Sequence, residues 1–409
     1  MAPTARIEDP FAQPPVPVTG FALFKYGFRP FFFFAGLFGV LSILVWVGVY
    51  AGHMGLNLTS PAVLWHAHEM LWGYSAAAIA GFFLTVVPNW TNANAQKGPM
   101  LKLLVALWLV GRVAEWSQGS LPYGWVAALD MTFLVALTLV VIRPLINPQY
   151  RRQFVFVPIL LCLIVGNAMT HASVLGVTTF DFDWGARGVT LGLDAVLVLI
   201  AVMGGRVTPS FTSSFLGHAN PNIKVVQNPT LDKAVMAVTW SVLIVDQVWG
   251  ASVLSGIVYG LAAGLHLWRL VGWQGWRTLR EPLLAVLHVG YLWLVVGFAL
   301  KGLADFGLFD PASAVHALTI GAIGTMTLAI MSRASLGHTG RALKAHTLVV
   351  VAYVFLSLAA VTRLSVTICP DFAMELIMAS GVLWALAFLL FFCIYAPILI
   401  RPRLDGRPG

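Results

Sequence analysis

Residues 65–90 read WHAHEMLWGYSAAAIAGFFLTVVPNW, a run long enough to cross a bilayer yet loaded at its start with groups a bilayer accepts poorly. His66, His68 and Glu69 fall within its first turn, and small residues from Ala76 to Gly81 follow, which lets neighbouring helices approach closely. Ionisable side chains inside a membrane segment face the bundle interior and mark function. The rest of the chain reads as a bundle assembled around this helix.

Composition agrees. Of 409 residues, 59% are hydrophobic and 10% charged, with a mean hydropathy of +0.85, against roughly 25% charged in soluble domains. The expected fold is therefore all-α, a polytopic membrane protein with twelve transmembrane helices in one bundle. Apolar runs of about 20 residues span Phe31 to Ala51, Ala62 to Val87, Met100 to Trp116, Leu121 to Ile142, Phe154 to Leu175 and Ala186 to Val207. The second six span Leu231 to Trp249, Ser252 to Val271, Pro282 to Leu300, Ser313 to Arg333, His346 to Val366 and Met374 to Leu399. Three regions follow: a polar leader over 1–30 without the features of a cleaved signal peptide, the membrane domain over 31–399, and a basic tail over 400–409. The loop from Thr208 to Thr230 is read as short and polar. The cysteines, Cys162, Cys369 and Cys393, are too scattered for a thiol metal site.

Charge sets direction. With both termini in the cytoplasm, about twenty of the 24 basic residues fall on that side, while the opposite loops hold only Arg187 and Lys301. The net charge of +8 is thus a matter of topology rather than of nucleic-acid binding, and the expected location is a cytoplasmic membrane. Direction then gives each polar residue a depth. His66, His68, Glu69, Arg112, Glu115, His171, Asp194, Asp246, His316 and Arg363 fall near the outer face, and His266, His288, His338 and His346 near the inner one.

Two positions apart on a helix is about 200° of rotation, so His66 and His68 point to opposite sides and one helix offers a ligand to each of two centres. Imidazole suits haem iron, copper and zinc alike. Trp65, Trp72 and Trp90 would suit a flat macrocycle, and Arg112 and Arg363 could pair with its acidic groups. Glu69 has three readings, as a proton relay, as a group that orients a histidine, or as a partner of Arg112. His53, His266 and His346 read as ordinary interfacial or hydrogen-bonded residues, His338 as a loop histidine, and FRPFFFF over 28–34 as lipid-facing or interfacial.

Five stretches together resemble the NnrS family: WHAHEMLWGYSAAAIAGFFLTVVPNWT, GFRPFFFFAGLF, GGRVTPSFT over 204–212, LHVGYLWLVVG over 287–297, and HALTIGAIGTMTLAIMSRASLGHTGR over 316–341. The resemblance implies a bacterial inner-membrane protein with haem b and copper, or iron as the second metal. It further implies an association with nitric oxide, nitrosative stress and denitrification. The family motifs contain His66, His68, His288, His316 and His338, which join Arg112 and Arg363, read above from their depth, as candidates to hold cofactor. His66, His68, His171 and His316 are candidates to hold metal, and Glu69 is the catalytic candidate. Expected partners are nitric oxide, lipid, and a quinol or electron-donor protein, the last if the protein is a nitric oxide reductase-like oxidoreductase. Haem-copper oxidases offer a looser architectural analogy, since this chain lacks their adjacent histidine pair. Two rival readings stand beside this one: a transporter using Asp130, Asp194 and Asp246, and a haem-based sensor.

Overall fold

The computed structural model describes residues 20–177, 182–219, 222–223 and 225–405. The first nineteen residues of the leader, the last four of the tail, and the basic residues Arg6, Lys224 and Arg407 lie outside that set. The described residues contain no strand. They form twelve long helices, of which the first six are α1 (Phe28–Tyr50), α2 (Ala62–Thr91), α3 (Pro99–Trp116), α4 (Tyr123–Leu145), α5 (Phe156–Val174) and α6 (Trp184–Ala219). The second six are α7 (Pro229–Val248), α8 (Val253–Gly272), α9 (Pro282–Asp305), α10 (Pro311–His338), α11 (Thr347–Leu364) and α12 (Ala373–Ile400).

Ten of the helices are long and apolar enough to cross a bilayer, which makes the chain a multi-pass membrane protein with a lipid-contacting surface. The two set apart are α3, with Lys102, Arg112 and Glu115, and α7, with Asp232, Lys233 and Asp246. In both helices an acidic residue near the C-terminal end is buried, Glu115 in α3 and Asp246 in α7, while Lys102 and Lys233 near their N-terminal ends are exposed.

Two helices change pitch where it matters. In α2 the α-helix stops at His68 and a π-helical stretch runs from Glu69 to Ser75. In α10 the α-helix stops at His316 and a π-helical stretch runs from Ala317 to Gly324. Such insertions are rare and concentrate at functional sites. Each widens the turn that follows a histidine.

Three local expectations change. FRPFFFF is largely core rather than lipid-facing: Phe28, Phe31 and Phe32 are buried, and Phe32 fills a slot at Gly81, where a Cβ would lie 2.6 Å from its ring. The first helix starts at Phe28 because Arg29 is fully buried and donates to the carbonyls of Leu399 (2.8 Å) and Arg401 (2.7 Å), tying α1 to the end of α12. Helix α6 continues through Pro209 to Ala219, so half of the loop expected after Thr208 is helical. Thr212 bonds back to the Thr208 carbonyl at 2.7 Å, one of the side-chain bonds that help membrane helices tolerate proline.

Close approach of α5 and α6 sets the site's floor. A Cβ on Gly188 would lie 2.5 Å from the Gly166 carbonyl oxygen, so only glycine permits this spacing. Trp72 of α2 enters the resulting seam, with Gly192 beneath it, and donates to the Leu163 carbonyl at 3.0 Å.

Candidate functional site

His66 and His68 leave α2 on opposite sides and serve two different environments. His66 lines a cavity of about 580 Å³ together with Met70, Tyr74, His316, Arg363 and Trp384. Its ring stacks on Trp46 of α1, centroids 4.3 Å apart and planes 8° from parallel. Neither of its ring nitrogens makes a hydrogen bond among the described residues. Across the cavity, His316 Nδ1 lies 2.6 Å from the Ala312 carbonyl oxygen, which can only accept. In the neutral ring that puts the proton on Nδ1 and leaves the Nε2 lone pair available. Arg363 donates to Ser313 Oγ at 3.2 Å and makes no ion pair among the described residues.

His68 turns the other way, into a buried polar cluster built from α2, α3, α4 and α5. Its Nε2 lies 2.8 Å from Asn167 Oδ1 and 3.4 Å from Asp130 Oδ2, and its Nδ1 lies 3.2 Å from Glu69 Oε1. His171, one turn beyond Asn167, places Nε2 3.2 Å from Asp130 Oδ2 and Nδ1 3.2 Å from the Tyr123 hydroxyl. Arg112 bridges Glu69 and Asp130. Trp116 donates to Glu69 Oε2 at 2.6 Å, Asn167 to Asp130 Oδ2 at 2.7 Å, and Gln118 to Glu115 Oε2 at 2.7 Å.

Two atoms are left over, the Arg112 Nε donor and one acceptor. Glu115 Oε1 is buried and without a hydrogen-bond partner. One ligand atom each from His68, Glu115, Asp130 and His171 lies within 4.8 Å of all the others, and all four residues are buried. The three carboxylates of Glu69, Glu115 and Asp130 face a single guanidinium, so with neutral imidazoles the cluster carries two negative charges in excess. Buried charge without a partner is costly. A divalent first-row ion, with bonds of about 2.0–2.2 Å to imidazole and carboxylate, answers both the orphaned oxygen and the charge.

The remaining candidates lie elsewhere. His288, near the start of α9, has Nε2 2.9 Å from Thr212 Oγ1, and its Nδ1 is buried without a partner. His338 is the last residue of α10 rather than a loop residue, and its ring lies 6.2 Å from that of Tyr26. Neither joins His66 and His316 at the cavity. His266 is hydrogen-bonded to Thr239 (2.9 Å) and Tyr291 (2.8 Å), as an ordinary core histidine would be. Glu115, Asp130 and Asn167 were not expected in one site with His68 and His171. The available signals were a carboxylate in mid-span at Asp130 and the spacing of Arg112 and Glu115 on one face of α3.

Fold and site together define a multi-pass helical membrane protein with a buried histidine–carboxylate group suited to a metal ion. A family model described as NnrS protein matches residues 22–403, nearly the whole chain. The chain belongs to the NnrS family. No curated protein matches it.

Proposed function

We propose that this protein is a haem- and metal-containing component of the bacterial inner membrane, with twelve spans and both termini cytoplasmic, that binds nitric oxide and reduces or otherwise detoxifies it at its outer end. One observation carries the proposal: opposite sides of one turn of α2 present His66 to a cavity and His68 to a polar cluster short of positive charge. The association of the NnrS family with nitric oxide supplies the substrate.

In this reading His66 and His316 hold haem b in the cavity, and Arg363, which makes no ion pair among the described residues although Asp310 lies near it, takes an acidic group of the macrocycle. The haem, when bound, supplies a redox iron able to bind nitric oxide. His68, His171, Glu115 and Asp130 hold the second metal, and this mixture of nitrogen and oxygen donors suits copper or iron. Arg112, engaged by Glu69 and Asp130, acts as the clamp of that centre rather than as a partner of haem. Glu69 orients His68, because its oxygens are already taken by His68, Arg112 and Trp116. Electrons would come from a quinol or an electron-donor protein.

The test is separation of the two centres. Purified protein is analysed for iron and copper and by optical and paramagnetic spectroscopy. His66→Ala and His316→Ala are expected to lose the haem absorption and keep the second metal, while His68→Ala and His171→Ala do the reverse. Wild-type protein with neither haem absorption nor bound transition metal would refute the proposal.

A further inference from the structure

A second acidic group lies at the junction of α6, α7, α8 and α9, away from the histidines. Asp194, on the third turn of α6, is 2% exposed, and neither of its carboxylate oxygens has a hydrogen-bond partner among the described residues. Asp246, in the last turn of α7, is 5% exposed; its Oδ2 accepts from the Tyr259 hydroxyl at 2.6 Å, and its Oδ1 has no partner. The carboxylates of Asp194 and Asp246 are close enough to repel one another, and Tyr259 feels the charge of both while hydrogen-bonding only Asp246.

The surrounding charges do not balance them. Lys301 of α9 is spent on Asp305, four residues later, and sits 5.0 Å from the Tyr259 ring. Asp305 itself has a buried oxygen, Oδ2, without a partner. Arg187, at the start of α6, donates to the backbone carbonyls of Asp246 (2.8 Å) and Gln247 rather than to a carboxylate. From α5 the Cys162 thiol lies near enough to feel the charge of Asp194. Three carboxylates thus face two cations, of which only Lys301 makes an ion pair among the described residues, and that with Asp305. An isolated buried carboxylate neutralises rather than remaining charged.

Protons answer this deficit better than a metal does. The group has no imidazole, and among the described residues the acids and histidines that converge on a single ion position are those around His68. We propose that Asp194 and Asp246 form a proton-holding pair, Asp246 hydrogen-bonded to Tyr259 and Asp194 buried without a partner among the described residues, exchanging protons with water at the end of the bundle where α7 and α9 terminate. Asp246 lies two residues from the end of α7, and Asp305 is the last residue of α9, so the route to water is short. Asp194 lies deeper, about 15 Å along α6 from its first residue at 1.5 Å per residue. The step is proton uptake alone: a carboxylate gains a proton on one oxygen and no electron moves. The site is independent of haem or metal at the other group.

Infrared difference spectroscopy on the full chain in lipid nanodiscs tests this, with no metal or haem added. At neutral pH the wild-type protein is expected to show the carbonyl stretch of a protonated carboxylic acid, shifted in heavy water and lost on raising the pH. Asp194→Asn should abolish or halve this band, Tyr259→Phe should shift it, and Asp371→Asn, on an exposed turn, should leave it unchanged. Asp246→Asn provides a second isosteric test if the first variant does not fold. A wild-type protein without such a band overturns the proposal, and so does a band that only sodium ions remove, because the ligand would then be a monovalent metal ion.

Discussion

Glu115→Gln is the substitution that separates a metal ligand from a structural carboxylate. Glu115 is 1% exposed and has one oxygen, Oε1, without a partner, while Gln118 bonds the other. An unsatisfied buried acceptor costs roughly 1–3 kcal/mol. Glutamine preserves the volume, can accept from Gln118, and offers its amide hydrogens to a cluster rich in acceptors. In chelator the variant should therefore unfold later than wild type, by an amount equivalent to about 1–3 kcal/mol.

With a divalent ion present that advantage shrinks or disappears. Removing even an outer partner of a ligand typically costs about 10–100-fold in metal affinity, and loss of an anionic ligand costs no less. At about 1.4 kcal/mol per tenfold, this removes about 1.4–2.8 kcal/mol of ion-linked stabilisation. Wild-type protein at a hundred times its dissociation constant gains about 2.7 kcal/mol, so most of that gain disappears in the variant. The assay is thermal unfolding of the detergent-solubilised protein in chelator and then with copper(II), zinc(II) or manganese(II). If Glu115→Gln lowers stability equally in both conditions, or if no ion stabilises the wild type, the cluster is a structural salt-bridge network and the assignment fails.

Other outcomes follow from the same geometry. Arg112→Met leaves Glu69 and Asp130 without their shared cation, which should cost about 3–5 kcal/mol in chelator; added divalent ion should restore part of it in the same unfolding assay. Gly192→Ala brings a Cβ to 2.7 Å from Trp72 Cζ2; overpacking of about 1–3 kcal/mol should accompany weaker ion binding, because the displaced indole contacts the His68 ring at 5.0 Å between centroids. Asp310 caps α10 by accepting from Ser313 N at 2.6 Å, and Asp310→Ala should cost about 0.5–2 kcal/mol. Burial raises the Asp310 carboxyl, but the Ser313 side-chain and backbone hydrogen bonds and the nearby Arg363 outweigh it and hold the group below its ordinary value. Its contribution is thus present above the unfolded value of about 3.9 and is lost as pH falls through the lower folded value, so melting curves of variant and wild type should converge in acid.

The part of the site that follows from local periodicity was legible. Two histidines two apart diverge on any helix, and here one meets the cavity while the other meets Asp130 and Asn167. The part that follows from assembly was not. Glu115, Asp130 and His171 sit on three different helices, and nothing in one chain states that α3, α4 and α5 bring them to a common point. The pitch changes after His68 and His316 were also invisible, since stretches such as EMLWGYS and ALTIGAIG contain nothing that ordinary α-helix refuses. Hydropathy misassigned Phe28, Phe31 and Phe32 because it cannot distinguish lipid from protein as the apolar neighbour; the glycine at 81 opens the slot that decides it.

The two acidic groups share a deficit of positive charge, and their donor atoms separate them. Around His68 the carboxylates are interleaved with imidazole nitrogens, whose lone pairs bind transition ions strongly. Arg112 holds Glu69 and Asp130 so that the carboxylates do not spread apart under their own repulsion. Around Asp194 no imidazole is present and the donor next to Asp246 is a tyrosine hydroxyl, which stabilises an adjacent oxygen anion or shares its proton but is a poor ligand without ionising itself. The clamp is missing too, because Lys301 is occupied by Asp305 and Arg187 by backbone carbonyls. An ion arriving there would meet carboxylates that do not converge, whereas a proton needs only one oxygen. On the two proposals, the same excess of negative charge would therefore select a divalent ion at one group and protons at the other. Moving a histidine into the second group, as in Tyr259→His, should create ion-dependent stabilisation where the wild-type junction has none, and its absence after such a change would show that spacing rather than donor type decides the occupant.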